Sequence, residues 1–229
     1  MQWHKGPLAA LDLEATGTDP RSVRIIEVGL FRIDVDGTSR PIVEQLIDPG
    51  VDLPTRITEI TGIRPQDLES MGRKPEEVLS ATLSAIESIV EDGLPIVIYN
   101  ATYDWPLLAA ELKRHGLGSL PSVPPAILID PLVLDRHADR YRKGSRTLEA
   151  IAAHYGVRID DAHRAGGDAA ATAAVAREIA RCYSEFHLDG PEIVALEIEA
   201  HRRWKNSFNE YLPKKGRRRS LVTEVWPTG

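Results

Sequence analysis

Two carboxylates near the start of this 229-residue chain have a spacing that suggests metal chemistry. Asp12 and Glu14 are separated by one residue at the end of the apolar run PLAALDL. Alternate residues of a strand face the same side, so the two carboxylates would lie together while Leu11 and Leu13 face the core. Neighbouring carboxylates repel each other and lose hydration on burial unless a cation compensates. Hard cations such as Mg²⁺ and Mn²⁺ prefer oxygen ligands, so the pair predicts a metal site, with a solvated strand end as the alternative.

Two further acids occur where helices are expected to begin. Asp104 follows the apolar run 95–99, and Asp168 opens an alanine-rich stretch at 168–187. An acid in either place can cap the helix and interact favourably with its dipole, so each acid taken alone also fits a structural role. Asn100, at the end of the apolar run, fits either a turn residue or a group that positions a ligand.

One histidine precedes the last of these acids. His163 lies in DDAHRAGGD, five residues before Asp168. An imidazole has a pKa near 6.5, which suits a general base at neutral pH. A surface histidine without a role in chemistry is the alternative. The small residues at 165–167 would let a backbone approach closely at the start of the helix.

Strand and helix patterns indicate which elements hold these residues. A strand–turn–strand signal around Asp36-Gly37 predicts an antiparallel meander, and the later alternation of strands and helices predicts parallel pairing. We therefore expect an α/β fold with a mixed sheet flanked by helices. The segment 53–70, which carries two prolines and a glycine, is expected to be irregular. Strands are predicted at 7–13, 24–34, 41–48, 95–99 and 126–130, and helices at 75–92, 105–115, 147–155, 168–187 and 191–212.

Composition limits the class of protein. The single cysteine, Cys182, excludes an internal disulfide framework and a cysteine-based zinc cluster. Its alanine-rich surroundings favour a packed thiol over a reactive one, and the low cysteine usage fits a cytoplasmic protein. The sequence has no signal-peptide pattern and no apolar run of about 18 residues, so no membrane segment is expected.

The charge distribution is uneven. The formal net charge is −6, yet segments 136–146 and 214–219 are strongly basic. An enzyme that binds cations through carboxylates is acidic at its centre and can be basic at its rim, where it would meet a nucleic acid. A solvated surface without a partner is the alternative for each basic segment.

The three acidic motifs, taken together and in order, resemble those of the DnaQ-like, or DEDDh, 3′–5′ exonucleases, which include the proofreading epsilon subunit of bacterial DNA polymerase III. The resemblance extends over about residues 7–187. The motifs are D-x-E, N-x-x-x-D and H-x-A-x-x-D, and they fall at Asp12/Glu14, Asn100/Asp104 and His163/Asp168.

This resemblance implies a ribonuclease-H-like fold with a five-stranded mixed sheet. It implies two divalent cations, Mg²⁺ or Mn²⁺, that clamp the scissile phosphate, with His163 taking a proton from the attacking water. The product would be a nucleoside 5′-monophosphate released from the 3′ end. The metal ligands that the resemblance implies are Asp12, Glu14, Asp104 and Asp168.

The resemblance also indicates where the substrate would lie. Thr16 and Gly17 occupy the place at which the family contacts the terminal nucleotide, and Asn100 belongs to the second motif. Ile63 would either wedge against the terminal base or lie in the core. Single-stranded or frayed DNA is the favoured substrate, and RNA is the alternative within the superfamily. A non-catalytic module that binds 3′ ends or a polymerase predicts a damaged acidic set, whereas all four acids are present.

Two parts of the chain are expected. Residues 1–188 would form the exonuclease domain, and 189–229 would form a C-terminal helix with a basic tail. A helix packed on the domain is the favoured interpretation of the second part. The alternatives are a grip on a nucleic-acid strand, a homodimer contact or a polymerase contact.

Overall fold

The computed structural model describes residues 1–159, 165–214 and 221–228. A five-stranded sheet in the order β3-β2-β1-β4-β5 forms its centre. The β1–β2 and β2–β3 pairs are antiparallel, whereas β1–β4 and β4–β5 are parallel, which confirms the predicted mixed sheet. The strands are β1 Leu8–Ala15, β2 Ile25–Ile33, β3 Ser39–Leu46, β4 Ile96–Val97 and β5 Leu128–Ile129.

Helices cover both faces of the sheet, and several begin with proline at their first position, where its missing N–H costs nothing. The expectation that 53–70 is irregular is wrong, because this segment holds two short helices. Pro65 starts the second of them, and Gly62 ends the first with a left-handed φ of 73°. The helices are α1 Thr55–Thr61, α2 Pro65–Met71, α3 Pro75–Glu91, α4 Ala101–Arg114, α5 Pro131–Ala138, α6 Leu148–Tyr155, α7 Ala165–Cys182 and α8 Gly190–Lys214.

Two layers of core lie on the two faces of β1. Leu11 and Leu13 pack in the layer that contains α3 and α4. Leu8 and Ala10 pack in the layer that contains α7. Because alternate residues share a face, Asp12 and Glu14 continue the row on the α7 side.

The C-terminal helix is packed against the rest of the molecule. Ile193 and Val194 at its beginning and Leu212 near its end are buried, whereas Phe208 is 36% exposed. After α8, Trp226 belongs to the same buried cluster as the residues of β1 and α4. The division of the chain into 1–188 and 189–229 stays a prediction. Among the described residues, no helix is both long and apolar enough to cross a lipid bilayer.

Cys182 is exposed at the end of α7, so the expectation of a packed thiol is wrong. The buried face of this helix contains Ala176, Ile179 and Ala180. Successive residues of an α-helix are about 100° apart, so the residue two positions after Ala180 points away from the core.

Candidate active site

Three carboxylates from distant parts of the sequence meet at the end of β1. One oxygen from each of Asp12, Glu14 and Asp168 lies within 4.8 Å of the other two. The two acids of β1 reach the same face by strand alternation, and Asp168 lies in the first turn of α7. The structure therefore brings together three of the four acids that the sequence singled out into a group with metal-ligand spacing.

Asp104 belongs to the same electrostatic cluster. It lies in the first turn of α4 and is buried, with 5% of its surface exposed. Burial raises the pKa of Asp104 well above its usual value, and the charge of Glu14 raises it further, whereas the Leu13 backbone amide acts in the opposite direction. The fourth predicted acid is thus close enough to the others to share their repulsion.

Burial and mutual repulsion both raise the pKa of an acid in this cluster. Burial is the main cause that raises the pKa of Asp12 well above its usual value. The charges of Asp104 and Glu14 add to the rise, followed by those of Asp168 and Glu27. A bound cation would offset both the burial and the repulsion of these carboxylates, and their oxygen donors fit hard divalent cations.

The start of α7 is seated on β2 by two residues that the sequence reading missed. Gly29 pairs with Asp12 across the sheet, and a Cβ at this position would lie 2.7 Å from the backbone carbon of Ala165. Glu27 is buried, and its Oε2 accepts a hydrogen bond of 3.1 Å from the Ala165 N–H. Because Gly29 has no side chain, the helix that carries Asp168 can approach β2 closely, and the hydrogen bond to Glu27 holds it there.

The turn before α4 is held by a second buried acid, Asp130. Asn100 adopts a left-handed conformation with φ 60° and ψ 52°, so its backbone acts as a turn residue. The N–H groups of Asn100 and Ala101 donate to the two oxygens of Asp130 at 3.0 and 2.9 Å. This arrangement fixes the beginning of the helix that carries Asp104. The Asp-Pro dipeptide at 130–131 was the only signal in the sequence, since it is typical of a helix start.

The C-terminal part of the chain reaches the same acid. Glu197 of α8 is fully buried, and its Oε1 accepts a hydrogen bond of 2.7 Å from the Asp130 N–H. The indole N–H of Trp226 donates to Asp130 Oδ2 at 3.2 Å. Burial raises the pKa of both Asp130 and Glu197. The C-terminal segment therefore supports the turn that positions α4.

The loop after β1 is tied to α4. Thr16 Oγ1 accepts a hydrogen bond of 3.0 Å from the Arg24 N–H. The Gly17 carbonyl accepts one of 2.5 Å from the hydroxyl of Tyr103. Both residues predicted to contact a nucleotide thus lie on a loop with a fixed position. The exposed Asn100 side chain accepts a hydrogen bond of 3.2 Å from the hydroxyl of Thr102 beside this loop.

Two other candidate residues have different outcomes. Ile63 is only 3% exposed and packs in a small buried cluster with Ile26 and Leu68, which is the core position that the sequence left open as an alternative. His163 lies outside the described residues, between Ile159 and Ala165.

The basic segment 136–146 is not simply a solvated surface. Arg142 donates to the fully buried carboxylate of Asp135 at 3.1 Å, and Arg146 binds the same carboxylate. These two arginines therefore compensate an internal charge, while other residues of the segment remain exposed. Residues 215–219 of the second basic segment lie outside the described part of the chain.

A family model described as an exonuclease of the RNase T type matches residues 9–176, a range that contains all four acids. The chain belongs to this exonuclease family. The DNA polymerase III PolC-type protein of Thermotoga petrophila is 34% identical over 165 residues, which cover 72% of this exonuclease chain and 11% of the relative. The chain thus spans about a tenth of the length of the curated relatives it matches.

Solved exonucleases share the fold. E. coli Exonuclease I in complex with a dA16 oligonucleotide has a TM-score of 0.63 at 20% identity, over 80% of this chain and 42% of that one. Exonuclease X in complex with 5′ overhanging duplex DNA has a TM-score of 0.57 at 18% identity, over 82% of this chain and 99% of that one. These similarities confirm the predicted ribonuclease-H-like fold.

Proposed function

We propose that this exonuclease-family protein is a metal-dependent 3′–5′ exonuclease that releases nucleoside 5′-monophosphates from single-stranded or frayed DNA. The observation that carries the proposal is the convergence of Asp12, Glu14 and Asp168 within 4.8 Å, with buried Asp104 in the same electrostatic cluster. A set of intact acids is unnecessary in a module that only binds 3′ ends or a polymerase, so catalysis is favoured over that alternative.

The four acids would hold two divalent cations, Mg²⁺ or Mn²⁺. Their donors are all carboxylate oxygens, which suit these hard ions. When bound, the cations would supply positive charge for the scissile phosphate and lower the pKa of a water. The carboxylates gain as well, because their burial and mutual repulsion then have a compensating charge.

The remaining roles follow from the positions of the residues in the chain. His163 would accept the proton of the attacking water, since it precedes Asp168 by five residues and the first residue of α7 by two. Thr16, Gly17 and Asn100 would meet the terminal nucleotide, because both the β1 loop and the α4 turn are fixed beside the acids. A contact between Ile63 and the terminal base would require this buried side chain to move outward.

We propose DNA, and not RNA, as the substrate class. A PolC-type DNA polymerase is among the relatives, and the similar solved structures named above contain DNA. An RNA-directed 3′–5′ exoribonuclease would use the same acids, and only contacts to the 2′-hydroxyl would distinguish it. A cytoplasmic location and a contact with a polymerase or a second copy of the chain stay predictions.

A degradation assay with matched substrates tests the activity. Purified protein is given Mg²⁺ or Mn²⁺ with 5′-labelled single-stranded DNA, double-stranded DNA and RNA of the same sequence. We expect a ladder that shortens from the 3′ end of single-stranded DNA and stops when EDTA is added or Asp168 is replaced by Asn. If no substrate shortens with either metal, the proposal is wrong, and a preference for RNA supports the exoribonuclease.

The assignment of the base has its own test. The variant His163→Ala should lose turnover by about 100-fold or more, which is typical of removing a general base. Calorimetric titration with Mn²⁺ should still detect cation binding, because the imidazole is not a proposed ligand. A variant that cleaves at the wild-type rate would show that another group accepts the proton.

A further inference from the structure

A groove between the end of α5 and the outer face of α8 lies outside the acidic site. It has a volume of about 450 Å³. It combines guanidinium groups with aromatic rings, and the residues that matter are Arg136, Arg140, Tyr141, Arg203, Trp204 and Phe208.

Aromatic faces are available in this groove. Tyr141 has 83% of its surface exposed, and Phe208 has 36%. The Trp204 and Phe208 rings stack with centroids 5.4 Å apart and an interplanar angle of 16°. The guanidinium of Arg136 lies 3.7 Å from the centre of the Trp204 ring on its face. The exposed rings of Tyr141 and Phe208 offer platforms on which unpaired bases of any sequence can stack.

The charge of the groove is opposite to that of the whole chain. It is lined by three arginines and His137, and no Asp or Glu is among its described lining residues. Arg140 donates to the Ser207 hydroxyl at 2.7 Å, which leaves its charge uncompensated by that bond. Glu199 approaches Arg203 at 3.5 Å from outside the groove, where both side chains are exposed and the pair is screened by water. An anionic occupant fits this local field on a protein whose net charge is −6.

The groove continues toward the acidic site. A second cleft of about 650 Å³ shares Arg136 and Trp204 with it. This cleft extends to Asn100 and Tyr103 at the beginning of α4, one residue from Asp104. The groove and the cleft together therefore reach from the C-terminal helix to the beginning of the helix that carries Asp104.

We propose that the α5–α8 groove binds the part of a single-stranded DNA that precedes the 3′ end undergoing hydrolysis. Arg140 and Arg203 contact phosphates, and Tyr141 stacks on a base. This assignment rests on the proposed exonuclease function for the direction of the strand. It gives the C-terminal helix a substrate-binding role in addition to its packing role.

A binding experiment tests the groove separately from catalysis. Fluorescence anisotropy measures the affinity of an oligothymidylate of about twenty nucleotides in EDTA for the wild type and for Arg203→Ala, Tyr141→Ala and Tyr141→Phe. Arg202→Ala is the matched control, since Arg202 is the exposed neighbour on α8 but does not line the groove. Initial rates on an oligothymidylate of about three nucleotides with Mn²⁺ report the acidic site alone.

We expect Tyr141→Ala to weaken binding between about fivefold and a hundredfold and Tyr141→Phe to retain it, because the ring remains. Arg203→Ala should weaken binding and lower the salt slope of log K by about 0.7, the value for one phosphate contact on a single strand. Arg202→Ala should leave both unchanged.

Three results overturn the proposal. The first is absence of binding by the wild type, and the second is an equal effect of Arg202→Ala and Arg203→Ala. The third is loss of self-association, measured by sedimentation, in Tyr141→Ala while DNA binding persists, which assigns the groove to a second copy. If the groove variants behave as expected but no oligonucleotide is degraded, the groove binds single-stranded DNA, whereas the exonuclease proposal and the assigned strand direction fail.

Discussion

Replacing Asp12 by Asn should stabilise the cation-free protein and abolish its nuclease activity. The Asp12 carboxylate lies within 4.8 Å of those of Glu14 and Asp168, and burial already raises its pKa well above the usual value. Asparagine has nearly the same shape but carries no charge. The variant therefore removes repulsion from the cluster without opening a cavity.

The size of the effect follows from the distance. Two unit charges separated by 4.8 Å repel by about 3 kcal/mol at an effective dielectric constant of about 20, and by about 1 kcal/mol in water. In a chain of this size, each kcal/mol shifts the melting temperature by roughly 2–4 °C. In EDTA, Asp12→Asn should melt about 2–12 °C above the wild type. Its nuclease rate should fall by orders of magnitude, because charge stabilisation of the phosphate is the dominant contribution to such reactions.

The direction of the Asp12 pKa shift determines how the melting difference between Asp12→Asn and the wild type changes with pH. A carboxyl group whose folded pKa is raised binds its proton more tightly in the folded state, so its contribution to stability is present below the usual Asp value and is lost as pH rises. The melting difference between Asp12→Asn and the wild type should therefore be larger near pH 8 than near pH 5. Added Mn²⁺ should raise the melting temperature of the wild type more than that of the variant.

Differential scanning calorimetry in EDTA and in Mn²⁺ measures these differences. Asp92→Asn is the control, because Asp92 is exposed at the end of α3, away from the acids. An Asp12→Asn variant that melts at or below the wild-type temperature in EDTA at both pH values would refute the idea that the cluster stores repulsion.

Three further substitutions test how the site is held in place. Gly29→Ala places a Cβ 2.7 Å from the Ala165 backbone, so it should destabilise the fold by about 1–3 kcal/mol. It should also lower kcat, because α7 carries Asp168. An unchanged kcat and melting temperature would contradict this expectation. Burial raises the pKa of Glu197, so the wild type loses stability as pH rises above the usual Glu pKa of 4.5, whereas Glu197→Gln does not ionise. The melting difference between the two proteins should therefore grow from near pH 5 to near pH 8, and a constant difference would argue against this reasoning. Trp226→Phe loses the N–H bond to the Asp130 carboxylate and should cost about 1–3 kcal/mol in urea unfolding, so an unaltered midpoint would show that the bond contributes nothing.

The sheet could be predicted from the sequence because its signals are local. Apolar runs and the Asp36-Gly37 turn identify β1 to β3 and their antiparallel order. The helices α1 and α2 were missed because two prolines and a glycine in 53–70 suggest irregular structure, while their actual role is to start and stop short helices. Burial of Cys182 was predicted wrongly, because the alanine-rich residues around it do not specify which side of α7 the cysteine occupies.

The site was predictable only in part for a similar reason. Strand alternation places Asp12 beside Glu14, but nothing local brings Asp168 to them, and only the family resemblance suggested that contact. The supporting residues Glu27 and Gly29 gave weak signals, an acid and a glycine within an apolar strand. Their roles depend on where α7 crosses β2, which is a property of the folded chain.

Asp130 accepts hydrogen bonds from four N–H groups that belong to three separate segments. Asn100 and Ala101 come from the start of α4, Leu132 from α5, and the indole of Trp226 from the segment after α8. Because one buried side chain accepts bonds from all three segments, a displacement of Asp130 breaks the bonds of all of them together. They form a cooperative unit of local unfolding, and the last helix of the chain belongs to the same unit as the turn that presents an acid to the catalytic cluster.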